Sequence, residues 1–535
     1  MPEPIVEGQT GSSPAPRKGR TAGVVGVLTV FVAAVGYVRE AVLAARFGIS
    51  TTMDAYFAAI FIPNILYLVL IAGTLSPVLI PILMQENPEK DPARASATLS
   101  VITNFALLVF VAIVACGTIA ARLWLPLLFP GFDSSTAQLS VRLVYVIFPA
   151  LPFLAIAGIL TALLNGFHKF WLAAFAPAMA SIPVIAAAVS FQGNRTVYVV
   201  GIATATGFIL QCLVLLPGAA ALRVRYRPIL DFRHPAIKRV LRLGVPLFLY
   251  LAVANVSLVL ERNLASRISA GAVSTLTYAL RLFTVPSNFL AAPLAIVAYP
   301  GFAREAVREQ RGELAGQVSR LFRLLVFVFL PVTVWVILNA MPVTRILYEH
   351  GRFSAADSSI TARVLAIYSI GIVPNAVTIL LLRCYFAIED TVTPLVAEVV
   401  DLGFFVTTAT ILKRYFGLQG LVTARSLTFV VVMGILVFVL VRRGLVKFDG
   451  FAQFLLRTAA ATLVMGLLSW LVWDFTQTIF ESAGTLLRLF IVFLAVCMSA
   501  GVFLGVARLL RLGEGRQIIN TVLGLVPRRS HRGAE

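Results

Sequence analysis

Apolar runs of about 20 residues or more alternate along this chain with short polar connections, and they are too long and too uniformly apolar to be one face of a soluble helix. The pattern predicts fourteen membrane-crossing helices, over residues 23–47, 53–83, 96–122, 138–163, 170–190, 196–221, 243–266, 272–302, 320–340, 358–386, 392–412, 416–441, 452–475 and 484–510. Lys and Arg gather in alternate connections: Arg17, Lys18 and Arg20; Lys90 and Arg94; Lys169; then Arg223, Arg225, Arg227, Arg233, Lys238, Arg239 and Arg242. The series continues with Arg304, Arg308 and Arg311, with Arg442, Arg443 and Lys447, and with Arg528, Arg529 and Arg532 in the tail. The intervening connections hold few, such as Arg195, Arg267 and Arg352, with Lys413 and Arg414 as the exception. Basic loops stay on the cytoplasmic side, so both termini are expected there, which requires an even number of spans.

Composition agrees: 59% of the 535 residues are hydrophobic and 13% charged, with mean hydropathy +0.93. A soluble domain holds about 45–50% apolar residues, so the fold class is an all-α polytopic membrane protein. The net charge of +20 follows from the basic loops, which orient helices and meet anionic headgroups, and not from nucleic-acid binding. Residues 1–22 are polar and predict a disordered cytoplasmic tail before a retained first helix, not a signal peptide. Cys116, Cys212, Cys384 and Cys497 fall in apolar segments without CxxC spacing, so neither a disulfide framework nor a zinc site is suggested. His168, His234, His350 and His531 are scattered, and no P-loop, Rossmann glycine pattern or HExxH occurs, which leaves no case for an ATPase or hydrolase. Active transport would draw on an ion gradient or on the membrane potential.

An internal repeat organises the chain. The first span ends Glu40-Ala-Val-Leu-Ala-Ala-Arg46 and the seventh Glu261-Arg-Asn-Leu-Ala-Ser-Arg267; Tyr56, Pro63 and Asn64 of the second parallel Tyr278, Pro286 and Asn288 of the eighth. Spans 1 and 7 run in the same direction, so the repeat is parallel. It predicts an N-lobe over 23–221, a basic cytoplasmic linker over 222–242, a C-lobe over 243–445, two appended spans over 446–510 and a basic tail over 511–535.

Charges inside the spans form a set: Arg39 and Glu40, Asp54, Glu261 and Arg262, Arg281, Glu398 and Asp401, and Arg425. Each costs roughly 2.5–3.5 kcal/mol at the centre of a bilayer helix, so each must pair or line water. Mutual salt bridging inside the bundle is the competing account for all of them. Arg39, Glu40, Glu261 and Arg281 are expected at the lobe interface, with Arg262, Glu398, Asp401 and Arg425 as secondary cavity charges. Asp54 follows Ser50, Thr51 and Thr52 at a helix start, where capping competes with a transport role. Pro63, Pro152, Pro286, Pro374 and Pro394 lie within or at the edge of spans and could kink them.

The string GYVREAVLAARFG (36–48), then DAYFAAIFIPN (54–64) and AGTLSPVLIPIL (72–83), resembles the opening of the lipid II flippases, the MurJ or MviN family of the multidrug/oligosaccharidyl-lipid/polysaccharide exporter superfamily. Further matches are LFPGF (128–132), LLNGFHKFWLAAFAP (163–177), LASRISAGAVSTLTYALRL (264–282), LYEHGRFSAADS (347–358) and DTVTP (390–394). The resemblance implies fourteen helices in an inverted V of two lobes around a cationic cavity. It implies movement of undecaprenyl-pyrophosphate-linked peptidoglycan precursor from the cytoplasmic to the outer leaflet of the bacterial plasma membrane by alternating access. It places Arg39 and Arg281 on the headgroup, Glu40 as an acidic partner, and the last two spans as a groove for the polyprenyl tail.

The chain departs from that family pattern at Ala33, Tyr67 and Leu68, where many members carry Arg, and at Ala72, where an acidic residue is frequent. Some members bind sodium between spans 7, 11 and 12; Glu261 matches one carboxylate, but Phe405, Ala409 and Arg425 fall at the other side-chain ligand positions. An Arg425–Glu261 pair and sodium-independent transport are therefore expected, with no cofactor and with a monomer as the working unit. An exporter of another polyprenyl-linked oligosaccharide, of O-antigen or capsule type, and a non-transporting scaffold of the same fold remain as alternatives.

Overall fold

The computed structural model describes residues 18–67, 92–167, 169–193, 195–222, 226–229, 231–308, 310–482 and 484–514, with no strand among them. The first half comprises α1 (Lys18–Phe47), α2 (Thr51–Leu66), α3 (Pro92–Ile119), α4 (Ala121–Leu128), α5 (Ser134–Ile147), α6 (Leu151–Gly166), α7 (Phe170–Phe175), α8 (Ile182–Ser190) and α9 (Thr196–Ala220). The second comprises α10 (Pro235–Ala254), α11 (Val256–Ser266), α12 (Ala272–Pro286), α13 (Ala292–Val307), α14 (Arg311–Leu338), α15 (Ala340–Tyr348), α16 (Ala355–Ser369), α17 (Ile372–Ala387) and α18 (Val392–Arg442). Two further helices follow, α19 (Phe451–Ser482) and α20 (Thr485–Leu509). Residues 68–83 of the second expected span, the basic residues Lys90, Arg223 and Arg225, and the terminal tails over 1–17 and 515–535 lie outside the described residues.

Ten helical stretches among the described residues are long and apolar enough to cross a membrane, or eleven counting α16 and α17, a pair bent by 46°. The difference from fourteen has local causes. The 51 residues of α18 are two helices joined at Gly417, whose φ of 55° and ψ of −129° are not helical. A straight helix would put Asp401 and Arg425 about 36 Å apart at 1.5 Å per residue, yet they are hydrogen bonded at 3.1 Å, so the chain reverses there, as the expected boundary between 412 and 416 implies. The seventh span is divided at Asn255 between α10 and α11, and the second is only partly described.

Proline placement separates kinks from helix starts. Pro152 occupies the first turn of α6, and Pro374 and Pro394 the first turns of α17 and α18, where a missing N–H removes no intrahelical bond. Pro63 lies inside α2, and Pro286 ends α12 ahead of a π-helical turn over Ser287–Ala291, a feature that re-aims a helix and recurs at functional sites.

The outside of the bundle is apolar: Val27, Leu456, Leu463, Phe475 and Phe493 are exposed, while Tyr56, Tyr278, Tyr348, Tyr368 and Tyr385 are buried. This inversion of soluble-protein burial is that of a multi-pass membrane protein, in which lipid covers the apolar rim. Besides the packing of α10, which begins in the basic linker, on α3, the halves meet where α2 packs on α12, α1 on α15 and α4 on α11. All three contacts lie at the loop end expected to face outward. There Arg352 N donates to the Ala45 carbonyl at 2.7 Å and Asn263 Nδ2 to the Leu127 carbonyl at 2.9 Å. The basic linker is fastened to α3, with Tyr226 Oη donating to Asn104 Oδ1 at 2.5 Å and Arg227 N to Ser100 Oγ at 2.9 Å.

Candidate functional site

A cavity of about 220 Å³ lies between the halves, lined by Arg39, Glu40, Asn64, Arg262, Arg281 and Thr284 among others, with Phe57, Phe61 and Phe129 as apolar wall. Gly36, Arg39 and Glu40 of α1 are spaced i, i+3 and i+4, which places them on one helix face. Arg39 Nη2 donates to Glu40 Oε1 at 2.7 Å. Arg262 Nη1 donates to the Val273 carbonyl at 3.1 Å, and the Arg281 guanidinium sits 5.0 Å from the Tyr37 ring centroid. Arg39 Nε, Arg281 Nε and Glu40 Oε2 are buried and make no hydrogen bond among the described residues. Three guanidiniums facing one carboxylate leave the cavity cationic, and buried donors without acceptors are costly. An anion with several oxygens would satisfy them, because guanidinium presents a planar fork of donors matched to phosphate.

Of the residues expected at the interface, the structure brings Arg39, Glu40 and Arg281 into this cavity, together with Arg262 from the expected secondary cavity charges, while Arg425 does not line it. Glu261 goes elsewhere. Successive residues on a helix point about 100° apart, so while Arg262 lines the cavity, Glu261 turns into the second half. There it is buried at 2% exposure and accepts a hydrogen bond from Tyr368 Oη of α16.

The expected Arg425–Glu261 pair is also corrected. Arg425 Nη1 donates to both carboxylate oxygens of Asp401 at 3.1 Å, and Ser257 Oγ donates to Asp401 Oδ2 at 2.5 Å. Both arms of α18 face α11, and Asp401, on the first arm, is within reach of the guanidinium from the second. The same guanidinium lies over the Phe405 and Phe429 rings, at 5.4 and 4.6 Å from their centroids, a cation–π seat. Glu398, half-buried, stands one turn before Asp401. Neither residue lines the interface cavity.

Asp54 caps a helix, but not its own. Ser50 Oγ accepts from Met53 N at 3.3 Å and so caps α2. The Asp54 carboxylate, 2% exposed, reaches into the second half, where Gly271 N and Ser274 N at the start of α12 each donate to it at 2.7 Å. A carboxylate on two free N–H groups at the positive end of a helix is a strong electrostatic contact, and this one ties the two halves together.

Tyr37, Asn64 and Thr284 were not singled out as site residues from the sequence, because Tyr, Asn and Thr are ordinary inside membrane helices and only charge signals cost. Ala33 and Tyr67 stand where the family pattern would have Arg; Leu68 and Ala72 lie outside the described residues.

The family described as "Lipid II flippase MurJ" matches residues 43–491. The lipid II flippase MurJ of Burkholderia cenocepacia is 30% identical over 463 residues, which cover 83% of this chain and 88% of that protein. A probable lipid II flippase MurJ of Vibrio cholerae is 25% identical over 418 residues, 76% of this chain and 79% of that protein. Among solved structures, a lipid II flippase MurJ in an inward closed conformation matches with TM-score 0.76 at 23% identity over 93% of this chain and 99% of that one. A multidrug-resistance MATE transporter of the MOP superfamily in an inward-facing conformation matches with TM-score 0.62 at 16% identity over 81% of this chain and 98% of that one. At those identities the structural matches establish the fold alone; the family rests on the sequence matches, and by them this chain belongs to the lipid II flippase MurJ family of membrane transporters.

Proposed function

We propose that this chain flips lipid II, the undecaprenyl-pyrophosphate-linked peptidoglycan precursor, from the cytoplasmic to the outer leaflet of the bacterial plasma membrane by alternating access, with both termini cytoplasmic. The observation that carries the reading is the interface cavity, where Arg39, Arg262 and Arg281 converge and two buried Nε–H donors await acceptors. A pyrophosphate fits that donor set, and Arg262 supplies a third guanidinium in a chain that has Ala33, Tyr67 and Leu68 at the family's other arginine positions. Outside the cavity, an apolar groove of about 540 Å³ lined by Leu282, Phe327, Pro331, Met465, Val496 and Phe503 joins α12 and α14 to α19 and α20. We assign it to the polyprenyl tail, which loses no solvation there. The linker over 222–242 and the tail over 511–535 would contact anionic lipids, and the working unit would be a monomer.

The test is complementation. In a bacterium depleted of its own lipid II flippase, the full chain is expected to restore growth and labelled lipid II on the outer surface. Insertion into the membrane without either effect would transfer the reading to another polyprenyl-linked oligosaccharide.

Sodium is not assigned a role. The carboxylate that matches a sodium ligand, Glu261, accepts from Tyr368 Oη, the Arg425 guanidinium stands against Asp401, and Phe405 offers a ring in place of an oxygen. A hard cation needs oxygen ligands, so the donor set does not fit one. Flipping in reconstituted vesicles is expected to run at the same rate with sodium replaced by choline; a drop of more than about threefold would count against this.

A further inference from the structure

We infer that Tyr37 is the positioning residue for Arg281, and that Gly36 is the space that lets it work; the inference rests on the pyrophosphate-lipid reading of the cavity. Tyr37 holds Arg281 across the interface at two points. Its ring lies under the guanidinium, 5.0 Å from centroid to Cζ, and its hydroxyl donates to the Arg281 carbonyl at 3.5 Å, which also accepts from Thr284 Oγ1 at 3.0 Å. One residue earlier, a Cβ added to Gly36 would stand 2.5 Å from Arg281 Nη2. The guanidinium therefore lies close against α1, with Nη2 beside a residue that has no side chain and Cζ over a ring. An unrestrained arginine loses rotamer freedom on binding an anion, which weakens the binding. Here that freedom is removed in advance by a neutral aromatic surface, which holds the side chain without competing for its N–H donors as a carboxylate would. Arg39 is held in the opposite way, by Glu40. Of the three cavity arginines, Arg39 has its charge countered by Glu40, Arg262 donates to the Val273 carbonyl, and Arg281 rests on the Tyr37 ring.

The experiment is a double-mutant cycle on the purified full chain, with lipid II and, separately, undecaprenyl pyrophosphate without sugar as the probes. Tyr37→Leu is expected to weaken binding by roughly 3- to 30-fold, the range of a desolvated cation–π contact, while Tyr37→Phe, which keeps the ring, stays within about threefold of wild type. In an Arg281→Ala background Tyr37→Leu is expected to add no further loss. Gly36→Ala should reproduce the weakening by displacing the guanidinium, again only when Arg281 is present. Equal losses from Tyr37→Leu with and without Arg281, or no loss in either, would overturn the assignment, and Gly36→Ala carries the same cycle if the leucine variant does not fold. Coupling seen with undecaprenyl pyrophosphate in a chain that does not bind lipid II would refute the lipid II reading and leave the Tyr37–Arg281 assignment standing. No binding of either probe by the wild type would end both.

Discussion

Asp54→Ala is expected to open the end of the bundle that now holds the two halves closed and to abolish flipping. Its carboxylate accepts from Gly271 N and Ser274 N, both at 2.7 Å, across the junction of α2 and α12. A hydrogen bond to a charged group contributes about 1.5–3 kcal/mol, so losing two costs the closed state roughly 3 kcal/mol or more, about a hundredfold in the ratio of closed to open molecules. The Ala45–Arg352 and Leu127–Asn263 contacts nearby are neutral acceptors and do not replace it. Asp54→Asn keeps one acceptor oxygen and is expected to fall between. The measurement is labelling of a cysteine placed at Ile49, whose side chain lies against Gly271, by an impermeant maleimide. Faster labelling in Asp54→Ala, with lipid II flipping lost, is the expected result; unchanged labelling with intact flipping would show that the carboxylate does not govern closure.

The second large effect belongs to the cavity arginines. Arg281→Ala removes a guanidinium whose Nε is buried without a partner and is expected to reduce surface lipid II by about a hundredfold or more, since a bidentate phosphate contact combines two charge-assisted bonds. Arg281→Lys should recover only part, because an ammonium cannot fork across two oxygens. Arg39→Ala should be at least as severe, as it also leaves Glu40, 4% exposed, without its counter-charge. Adding Glu40→Gln to Arg39→Ala separates the two losses: recovery of protein level without recovery of flipping is the expected outcome. Flipping near the wild-type rate in Arg281→Ala, at normal membrane abundance, would remove this arginine from the headgroup site.

The two carboxylates Glu40 and Glu261 show why a sequence repeat is an incomplete guide to a site. They occupy matching places in the repeat, and both are buried, yet one pairs with Arg39 beside the cavity and the other with Tyr368 inside the second half. The arginine stands two positions apart in the two copies, Arg39 before Glu40 and Arg262 after Glu261, so the helix faces turned toward their neighbours differ. The sequence likewise singled out Asp54 as a capping residue or a transport residue; it caps α12 of the opposite half, which no local pattern encodes.

Taken alone, the sequence determined the membrane-spanning character, the position of most spans, the family resemblance and which charges are buried at a cost, because hydropathy and charge are properties of each residue and its near neighbours. Only the tertiary structure decided the partners: Asp401 and not Glu261 for Arg425, Gly271 and Ser274 for Asp54, and Tyr37 for Arg281. Those pairings join positions 24 to 244 residues apart, and they are set by helix rotation and by the reversal at Gly417. A burial cost says that a charge must find a partner; which one it finds depends on the distance and direction between helices.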